Sequence, residues 1–344
     1  MEVYSNERMV NNPKDRERDQ LYALTKLRPI AGAKDQHGHD MTQTLTQIDR
    51  HYFDDFRLKP FKGFAEDWSL TLDLGVLEVK SKPVLMLQSW SYWNSSAAIV
   101  AASQTHQTLW GPILDVLGQD GRWRTEIKDL GVSAGLPRMM VVDLSPHLKS
   151  GEHVVRIRSN RTLYYDQVLV ADKKESLDLN SRGSGMTRIH SQDTPLLSAQ
   201  LRWLGYPRRI LPDGKFPEVF DYSQISPQAD WGTHAGMLTR YGDVLPLLQK
   251  RDDRFVIMEH GEEVALSFDA RRLPPLPPGW KRTFFFYSDG FAKGNELHSL
   301  QSETVDPLPF HSMESYPSRQ SYPDDEAHIL YLLDWNTRPS FMRR

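Results

Sequence analysis

The sequence predicts a mainly β protein: two tandem, internally duplicated β-sandwich domains of jelly-roll-like type, with few short helices and one C-terminal helix. Three observations support this prediction. A passage of the first half returns in the second half, strand-like segments are short and separated by turn residues, and 344 residues suffice for two cores. A repeat period this long indicates tandem domains and not a solenoid, whose units are much shorter.

Three pairs of matching segments carry the duplication. The motif Gly38-His-Asp-Met of the first half returns as Gly242-Asp-Val, and Asp49 corresponds to Asp252. Because Asp49 and Asp252 recur at the same place, we expect them to share a structural task such as capping a turn. The other pairs are residues 66–73 (EDWSLTLD) with 262–269 (EEVALSFD), and residues 82–89 (KPVLMLQS) with 281–288 (KRTFFFYS).

Strands are predicted where short apolar or alternating runs are bounded by Gly, Pro, Asn or Asp. Val155 and Ile157 fall on one face of their run and arginines on the other, which indicates a half-buried strand. Asp120-Gly121 predicts a tight hairpin turn. The predicted strands are residues 84–88, 113–116, 139–144, 154–158 and 283–287.

Helices are predicted at few places. Pro323 and three acidic residues precede an apolar pattern, which predicts a helix from residue 324 to about 335. Its apolar side is expected to pack on the second domain through Ile329, Leu332 and Leu333. Residues 42–48 and 245–250 are expected to form matching short helical turns.

A polar, Gly- and Ser-rich stretch marks the predicted domain boundary, since such a composition cannot bury much surface. The first β-sandwich is therefore placed at residues 1–171, the polar linker at 172–198, and the second β-sandwich with its C-terminal helix at 199–344.

Composition excludes several classes of function. Lys and Arg number 42 against 45 Asp and Glu, for a formal net charge of −3, and no long block of one sign predicts nucleic-acid binding. The chain has no cysteine, which excludes disulfides, thiolate metal sites and a cysteine nucleophile. No run is long enough to predict a membrane span, and no signal peptide is expected in this chain. Dinucleotide, phosphate-loop, metalloprotease and nucleophile-elbow motifs are absent from the sequence.

The first candidate site consists of Asp35, His37, His39 and Asp40. Two histidines one residue apart on a strand point to the same side, and with a carboxylate they suit zinc or iron. A calcium loop would instead use the aspartates and backbone carbonyls. The alternative is a polar turn, because Gly38 separates the histidines and the second repeat keeps the Gly-Asp step without a histidine pair.

The second candidate site is aromatic. Rings exposed at the rim of a sandwich stack on the apolar faces of sugars, and nearby carboxylates fix the hydroxyls. The alternative is that these rings fill the core of the first domain. The candidate residues are Trp90, Tyr92, Trp93, Tyr164, Tyr165 and Asp166.

Several long motifs carry a family resemblance. In the first half these are residues 131–144 (GVSAGLPRMMVVDL) and 164–170 (YYDQVLV); in the second half they are 239–248 (TRYGDVLPLL), 306–313 (DPLPFHSM) and 322–328 (YPDDEAH). Together they resemble the region near the C-terminus of bacterial FG-GAP repeat proteins with ASPIC/UnbV segments, of the cartilage acidic protein type.

The resemblance implies an exported or periplasmic protein whose export signal and calcium-binding β-propeller lie upstream or on another gene. The resemblance is compatible with calcium as a cofactor, whereas the residues themselves predict no cofactor. The chain departs from the family pattern at Tyr164-Tyr165, where an aromatic pair containing Trp is expected. Residues 288–294 also lack the further acids of the corresponding loop.

The leading functional hypothesis is a noncatalytic binding or scaffolding module that grips a glycan or a partner protein through the aromatic candidates. The alternative is a metal-dependent or carbohydrate-active enzyme that uses the histidine cluster of residues 35–40. A third hypothesis is a purely structural chain packed against the propeller, with an exposed apolar patch and a tendency to self-associate.

Overall fold

The structure is a computed structural model that describes residues 2–10, 20–78, 81–92, 94–133, 135–178, 193–214, 216–228 and 232–341. The chain divides into two compact units, Met1–Ser184 and Gly185–Arg344. The last strand of the first unit continues to Asp178, so the start of the predicted linker at residue 172 falls inside a strand. The middle of that predicted linker, residues 179–192, lies outside the described residues.

The first unit consists of ten strands and one helix within the described residues. The strands form two antiparallel sheets, in the orders β1-β2-β10-β5-β8 and β3-β4-β9-β6-β7. The elements are β1 (Glu2–Ser5), β2 (Gln20–Pro29), β3 (Gly32–Lys34), β4 (Phe64–Asp73), β5 (Pro83–Ser91), α1 (Ser96–Gln104), β6 (Ile113–Leu117), β7 (Trp123–Ile127), β8 (Arg138–Asp143), β9 (Val154–Arg161) and β10 (Leu163–Asp178).

This strand order is that of an eight-stranded jelly roll. Strands β2, β10, β5 and β8 form one four-stranded sheet, β4, β9, β6 and β7 form the other, and the chain crosses repeatedly between them. The additional strands β1 and β3 each extend one edge. The predicted mainly β, sandwich-like fold is confirmed.

The core lies between the two sheets and is built mainly from aliphatic side chains with no exposed surface. Strand β5 is apolar along most of its length because it is buried on both faces. Leu85 and Leu87 point into the main core, whereas Val84 and Met86 belong to a second buried cluster on the opposite face of the same sheet.

The predicted turns and helical turns of the repeats are confirmed. Asp120-Gly121 lies in the hairpin between β6 and β7. The first repeat has a 3₁₀ turn at Gln43–Leu45, and the second has a short helix α2 at Leu245–Leu248.

Aspartates in matching positions of the two repeats cap matching turns. The Asp49 carboxylate accepts the backbone N–H two residues later at 2.9 Å, and Asp252 does so at 3.0 Å. Asp40 and Asp243 form another such pair. These carboxylates therefore have the structural task that the duplication predicted for Asp49 and Asp252.

The second unit has smaller sheets. Strands β15-β11-β16 form one sheet, and β12 with β13 and β14 with β17 form two-stranded pairs, all antiparallel. The remaining elements are β11 (Leu196–Trp203), β12 (Tyr206–Ile210), β13 (Val219–Ser226), β14 (Gly236–Leu238), β15 (Gly242–Asp243), β16 (Glu262–Phe268), α3 (Glu326–Trp335) and β17 (Arg338–Ser340).

Two sequence predictions for the second unit need correction. Residues 283–287 form no strand, and Phe284 and Phe286 are 67% and 65% exposed. Helix α3 lies where it was predicted, but its expected apolar side is solvent-exposed and Tyr331 is the buried residue. The Tyr331 hydroxyl donates to the Phe255 carbonyl at 2.6 Å, so this polar contact helps to orient the helix.

Among the described residues, no helix has the length and apolar character needed to cross a membrane.

We predict that the jelly-roll core dominates the stability of the first unit. Leu72 has no exposed surface, so Leu72→Ala should lower the free energy of unfolding of this unit by about 2–5 kcal/mol. Leu58 is 66% exposed, so the control Leu58→Ala should change it by less than about 0.5 kcal/mol. Native-state hydrogen exchange of β4 and β9 amides would measure both values. Equal effects of the two substitutions would contradict the assigned core.

Candidate functional site

Strand β10 carries a β-bulge at Asp166. Tyr165 is opposite Ser89 and Gln167 is opposite Gln88 of β5, so Asp166 has no residue opposite it in the ladder. A bulge of this kind leaves the additional residue outside the pairing and redirects its side chain.

The Asp166 side chain holds the loop at residues 49 and 50 in place. Its carboxylate is buried and accepts the backbone N–H groups of Asp49 at 3.2 Å and Arg50 at 3.0 Å. Arg50 has a φ of 69°, which is uncommon outside glycine, and the bond to Asp166 holds it there. Burial raises the pKa of Asp166, while the two N–H donors act in the opposite direction. The predicted ligand contact at Asp166 is thus a structural anchor.

Tyr165 also serves the fold. Its ring is 1% exposed and belongs to the main core. Its carbonyl accepts the backbone N–H of Phe53 at 2.7 Å, which fixes the loop segment 51–56 against β10. The core interpretation is therefore correct for this residue.

Tyr164 points away from Tyr165 and lies at the centre of an aromatic cluster. The centroids of the neighbouring rings lie 5.1 Å away for Trp90, 5.3 Å for Phe56 and 6.1 Å for Tyr52. Tyr92 packs edge-on against Trp90, with 4.6 Å between the centroids. We call these five rings the aromatic cluster.

The predicted site residues differ in exposure. Trp90 and Tyr164 are only 6% and 8% exposed, so neither offers a ring face to a ligand, in contrast to the sequence prediction. The Trp90 Nε1 donates to the Gly135 carbonyl at 3.2 Å, which draws the indole inward. Tyr92 is half-buried and forms the edge of the aromatic cluster. Trp93 lies outside the described residues.

The outer edge of the aromatic cluster, at Tyr92, carries a positive charge, whereas the Tyr164 hydroxyl inside the cluster is neutral. Burial, and secondly the charge of Asp54, raise the pKa of Tyr164 to about 12, so its hydroxyl stays protonated at neutral pH. The exposed Lys62 places its Nζ 5.0 Å from the centroid of the Tyr92 ring. The outer edge therefore combines an aromatic ring with a cation.

Asn94 joins this edge to a neighbouring cavity. Its Nδ2 donates to the Lys62 carbonyl at 3.4 Å, and its Oδ1 accepts from the Arg161 guanidinium. Gly63 has a φ of 86°, and a Cβ at this position would lie 2.1 Å from the Asn94 Nδ2. A larger residue at position 63 would be strained by this φ and would displace the Asn94 amide.

The cavity opens beside helix α1, with a volume of about 370 Å³, within the range of small-molecule sites. It has both apolar and polar walls. Its lining residues are Phe64, Ile99, Ser103, Gln107, Thr108, Leu109, Gly111 and Arg161.

Arg161 is the charged residue of this lining. Its Nε is shielded from solvent and has no hydrogen-bond partner, and Gln107 Oε1 is in the same situation. Burial lowers the pKa of Arg161, while the charge of Asp129 acts in the opposite direction. The guanidinium is therefore partly desolvated, and Asn94 is its one side-chain hydrogen-bond partner among the described residues.

Sequence reasoning missed Lys62, Asn94 and Arg161. They are far apart along the chain, and each is an ordinary polar residue beside a strand or helix. The jelly-roll crossings bring them together, and no spacing in the sequence signals that contact.

The histidine-containing motif forms a tight turn, as its alternative interpretation predicted. Gly38 has a φ of 86°. The Asp35 carboxylate accepts the backbone N–H groups of His37 and His39, each at 2.8 Å, and lies 2.7 Å from the His39 Nδ1. Asp35 is thus the acceptor that closes the turn.

Asp55 approaches the same carboxylate from the loop segment 51–56. Burial acts to raise the pKa of Asp35, but hydrogen bonds from Asp55 and His39 hold it well below its usual range. The hydrogen bond to Asp35, and secondly burial, raise the pKa of Asp55. The two carboxylates therefore influence one another, with the pKa of Asp35 lowered and that of Asp55 raised.

The metal prediction is only partly matched by this geometry. Ligand atoms of Asp35, His39 and Asp55 lie within 4.8 Å of one another, so Asp55 joins two of the four predicted residues. Asp40 instead caps the next turn, and His37 is not part of this group. One imidazole and two carboxylates suit zinc or iron better than calcium, which prefers oxygen ligands only.

No protein-family model matches the chain, and the comparisons with curated proteins and with solved structures find nothing similar to it. The resemblance to the FG-GAP repeat proteins therefore stays a prediction.

We predict that Asp35→Asn lowers the free energy of unfolding of the first unit by about 1–3 kcal/mol at pH 7, because the backbone N–H groups of His37 and His39 lose their ionised acceptor. The pKa of Asp35 is lowered by folding, so its contribution is complete above the unfolded pKa and is lost as the pH falls through the folded pKa. The difference from wild type should therefore narrow below about pH 4. Denaturation at several pH values would measure it.

The matched control is Asp55→Asn, whose amide can still donate to Asp35. It should leave stability at pH 7 within about 0.5 kcal/mol of wild type. If zinc instead raises the melting temperature of the wild type and Asp55→Asn abolishes that rise, the purely structural interpretation of this turn is wrong and the metal-dependent alternative gains support.

Proposed function

We propose that the first unit is a noncatalytic binding module for glycans. Its ligand would meet the sandwich at the edge formed by Lys62, Tyr92 and Asn94, which we call the Tyr92 edge. The observation that carries this proposal is the position of the half-buried Tyr92 ring at the outer edge of the aromatic cluster, beside Lys62, which Asn94 joins to the cavity residue Arg161.

The chemistry of the Tyr92 edge suits a sugar. An aromatic ring packs against the C–H face of a pyranose, and amide and ammonium groups donate to its hydroxyls. Trp90 and Tyr164 support Tyr92 from below, with centroids 4.6 Å and 6.5 Å from its ring. A ring held by packing loses little conformational entropy when it binds, which favours affinity.

The fold and the family resemblance are compatible with this proposal. Jelly rolls include lectin domains, although fold analogy alone does not identify a ligand. As part of the proposal, the protein is exported or periplasmic and acts beside an upstream β-propeller, as the resemblance implies.

We predict that Tyr92→Ala weakens binding to a responsive soluble polysaccharide by about tenfold or more, which corresponds to about 1.4 kcal/mol. The control Tyr222→Ala removes a tyrosine that is 65% exposed in the second unit and should leave binding unchanged. Affinity electrophoresis in gels that contain each polysaccharide would identify the responsive glycan and compare the variants. Equal retardation of the wild type, Tyr92→Ala and Tyr222→Ala would show that Tyr92 is not part of the binding site.

One observation favours a protein partner as a second candidate function. The loop region after β16 exposes several large apolar side chains, and such patches commonly mark interaction surfaces. The most exposed are Phe284 (67%), Phe286 (65%), Tyr287 (54%), Leu297 (87%) and Leu300 (73%).

If this apolar region joins two copies of the chain, the protein should associate as its concentration rises. The double substitution Phe284→Ser and Phe286→Ser should weaken that association, whereas Val76→Ser, at a position 93% exposed in the first unit, should not. Sedimentation velocity would measure both. A wild-type protein that is monomeric at every concentration would contradict self-association through this region.

A further inference from the structure

We propose that the cavity beside Arg161 binds a sugar acid, with the carboxylate of the ligand on the Arg161 guanidinium. This inference rests on the proposed glycan-binding function and names the chemical class of the ligand. It assigns Arg161 the role of a specificity-determining residue beside the Tyr92 edge.

Other arginines near this end of the sandwich already have carboxylate partners. Arg156 and Arg158 both contact the buried Asp115, each at 2.8 Å. Arg161, at the end of the same strand, instead bonds to the neutral amide of Asn94. Its charge is thus compensated less well than that of its neighbours on β9.

An incompletely compensated guanidinium favours an anionic ligand. Moving a cation out of water is costly unless an opposite charge or hydrogen-bond acceptors replace the water. A carboxylate matches the planar fork of arginine and can accept two parallel hydrogen bonds. Binding of such a group would compensate a charge that the fold leaves partly desolvated.

The local charge favours a carboxylate over a phosphate. Arg161 is the one charged side chain in the cavity lining, and Asp129 is close enough to act on its pKa. One positive charge beside a negative one suits a monoanion better than a dianion, which would experience stronger repulsion from Asp129.

The remaining walls match the other faces of a sugar acid. Phe64 and Leu109 offer apolar surface to C–H groups. Ser103, Thr108 and Gln107 offer hydroxyl and amide groups to sugar hydroxyls. Ser103 and Thr108 are solvent-exposed, so the cavity can be entered from this side.

The test compares sodium glucuronate with glucose by isothermal titration calorimetry on the full chain. The two sugars differ at the carboxylate, so glucuronate should bind at least about tenfold more tightly. Arg161→Gln should remove this preference. The control Arg122→Gln, in the exposed hairpin turn at the far end of β6, should retain it.

A second variant keeps the test decisive if Arg161→Gln unfolds. Ser103→Trp would fill the mouth of the cavity from the exposed surface of α1 and leave the guanidinium in place. It should also abolish glucuronate binding, with an unchanged melting temperature as evidence of folding. Glucuronate that binds no better than glucose, or binds equally to Ser103→Trp, would overturn the inference.

The outcomes also separate this inference from the proposed function. If a neutral polysaccharide binds in a Tyr92-dependent way and glucuronate shows no preference, the glycan module stands and the sugar-acid inference fails. If glucuronate binds through Arg161 but no polysaccharide depends on Tyr92, the cavity is a small-molecule site and the proposed glycan edge is wrong.

Discussion

The buried carboxylate of Asp166 fixes the part of the first unit on which both candidate sites depend. The Asp166 carboxylate accepts the backbone N–H groups of residues 49 and 50, and this holds the start of the loop segment 51–56 against β10. The bulge at Asp166 sends Tyr165 into the core and Tyr164 to the aromatic cluster. The same loop brings Asp55 to Asp35. One backbone irregularity thus positions an aromatic edge and a carboxylate pair.

Polar groups inside the sandwich are mostly matched with one another. Asp115 is shared by two arginines, and Asp35 closes its turn with three hydrogen bonds. Against this background, Arg161 stands out, because its strongest partner is an amide and its Nε is unpaired. Matched groups stabilise the fold, whereas a partly desolvated cation beside a cavity is available for recognition. Asp35 of the histidine turn has three hydrogen-bond partners, whereas the one side-chain partner of the Arg161 guanidinium among the described residues is a neutral amide.

The sequence predicts local features well and tertiary ones poorly. Asp120-Gly121 and the acidic start of α3 were predicted correctly because turn and helix-end chemistry act over a few residues. For Trp90 the sequence favours exposure with core burial as the alternative, and the ring is buried, because a ring near the end of a strand can turn inward or outward with the same local pattern. Residues 283–287 form no strand despite their composition, since a strand requires a neighbour to pair with. The Arg161 cavity depends on strand crossings that no sequence motif predicts.

The most direct test of the central claim is a nuclear magnetic resonance titration of the full chain with sodium glucuronate. We expect the largest shifts at the Arg161 Nε–H and the Asn94 side-chain amide, with smaller shifts at the backbone amides of Lys62 and Tyr92. Shifts confined to the turn at Asp35, or to the second unit, would show that the ligand binds elsewhere. Such a result would contradict a recognition site at this end of the first unit.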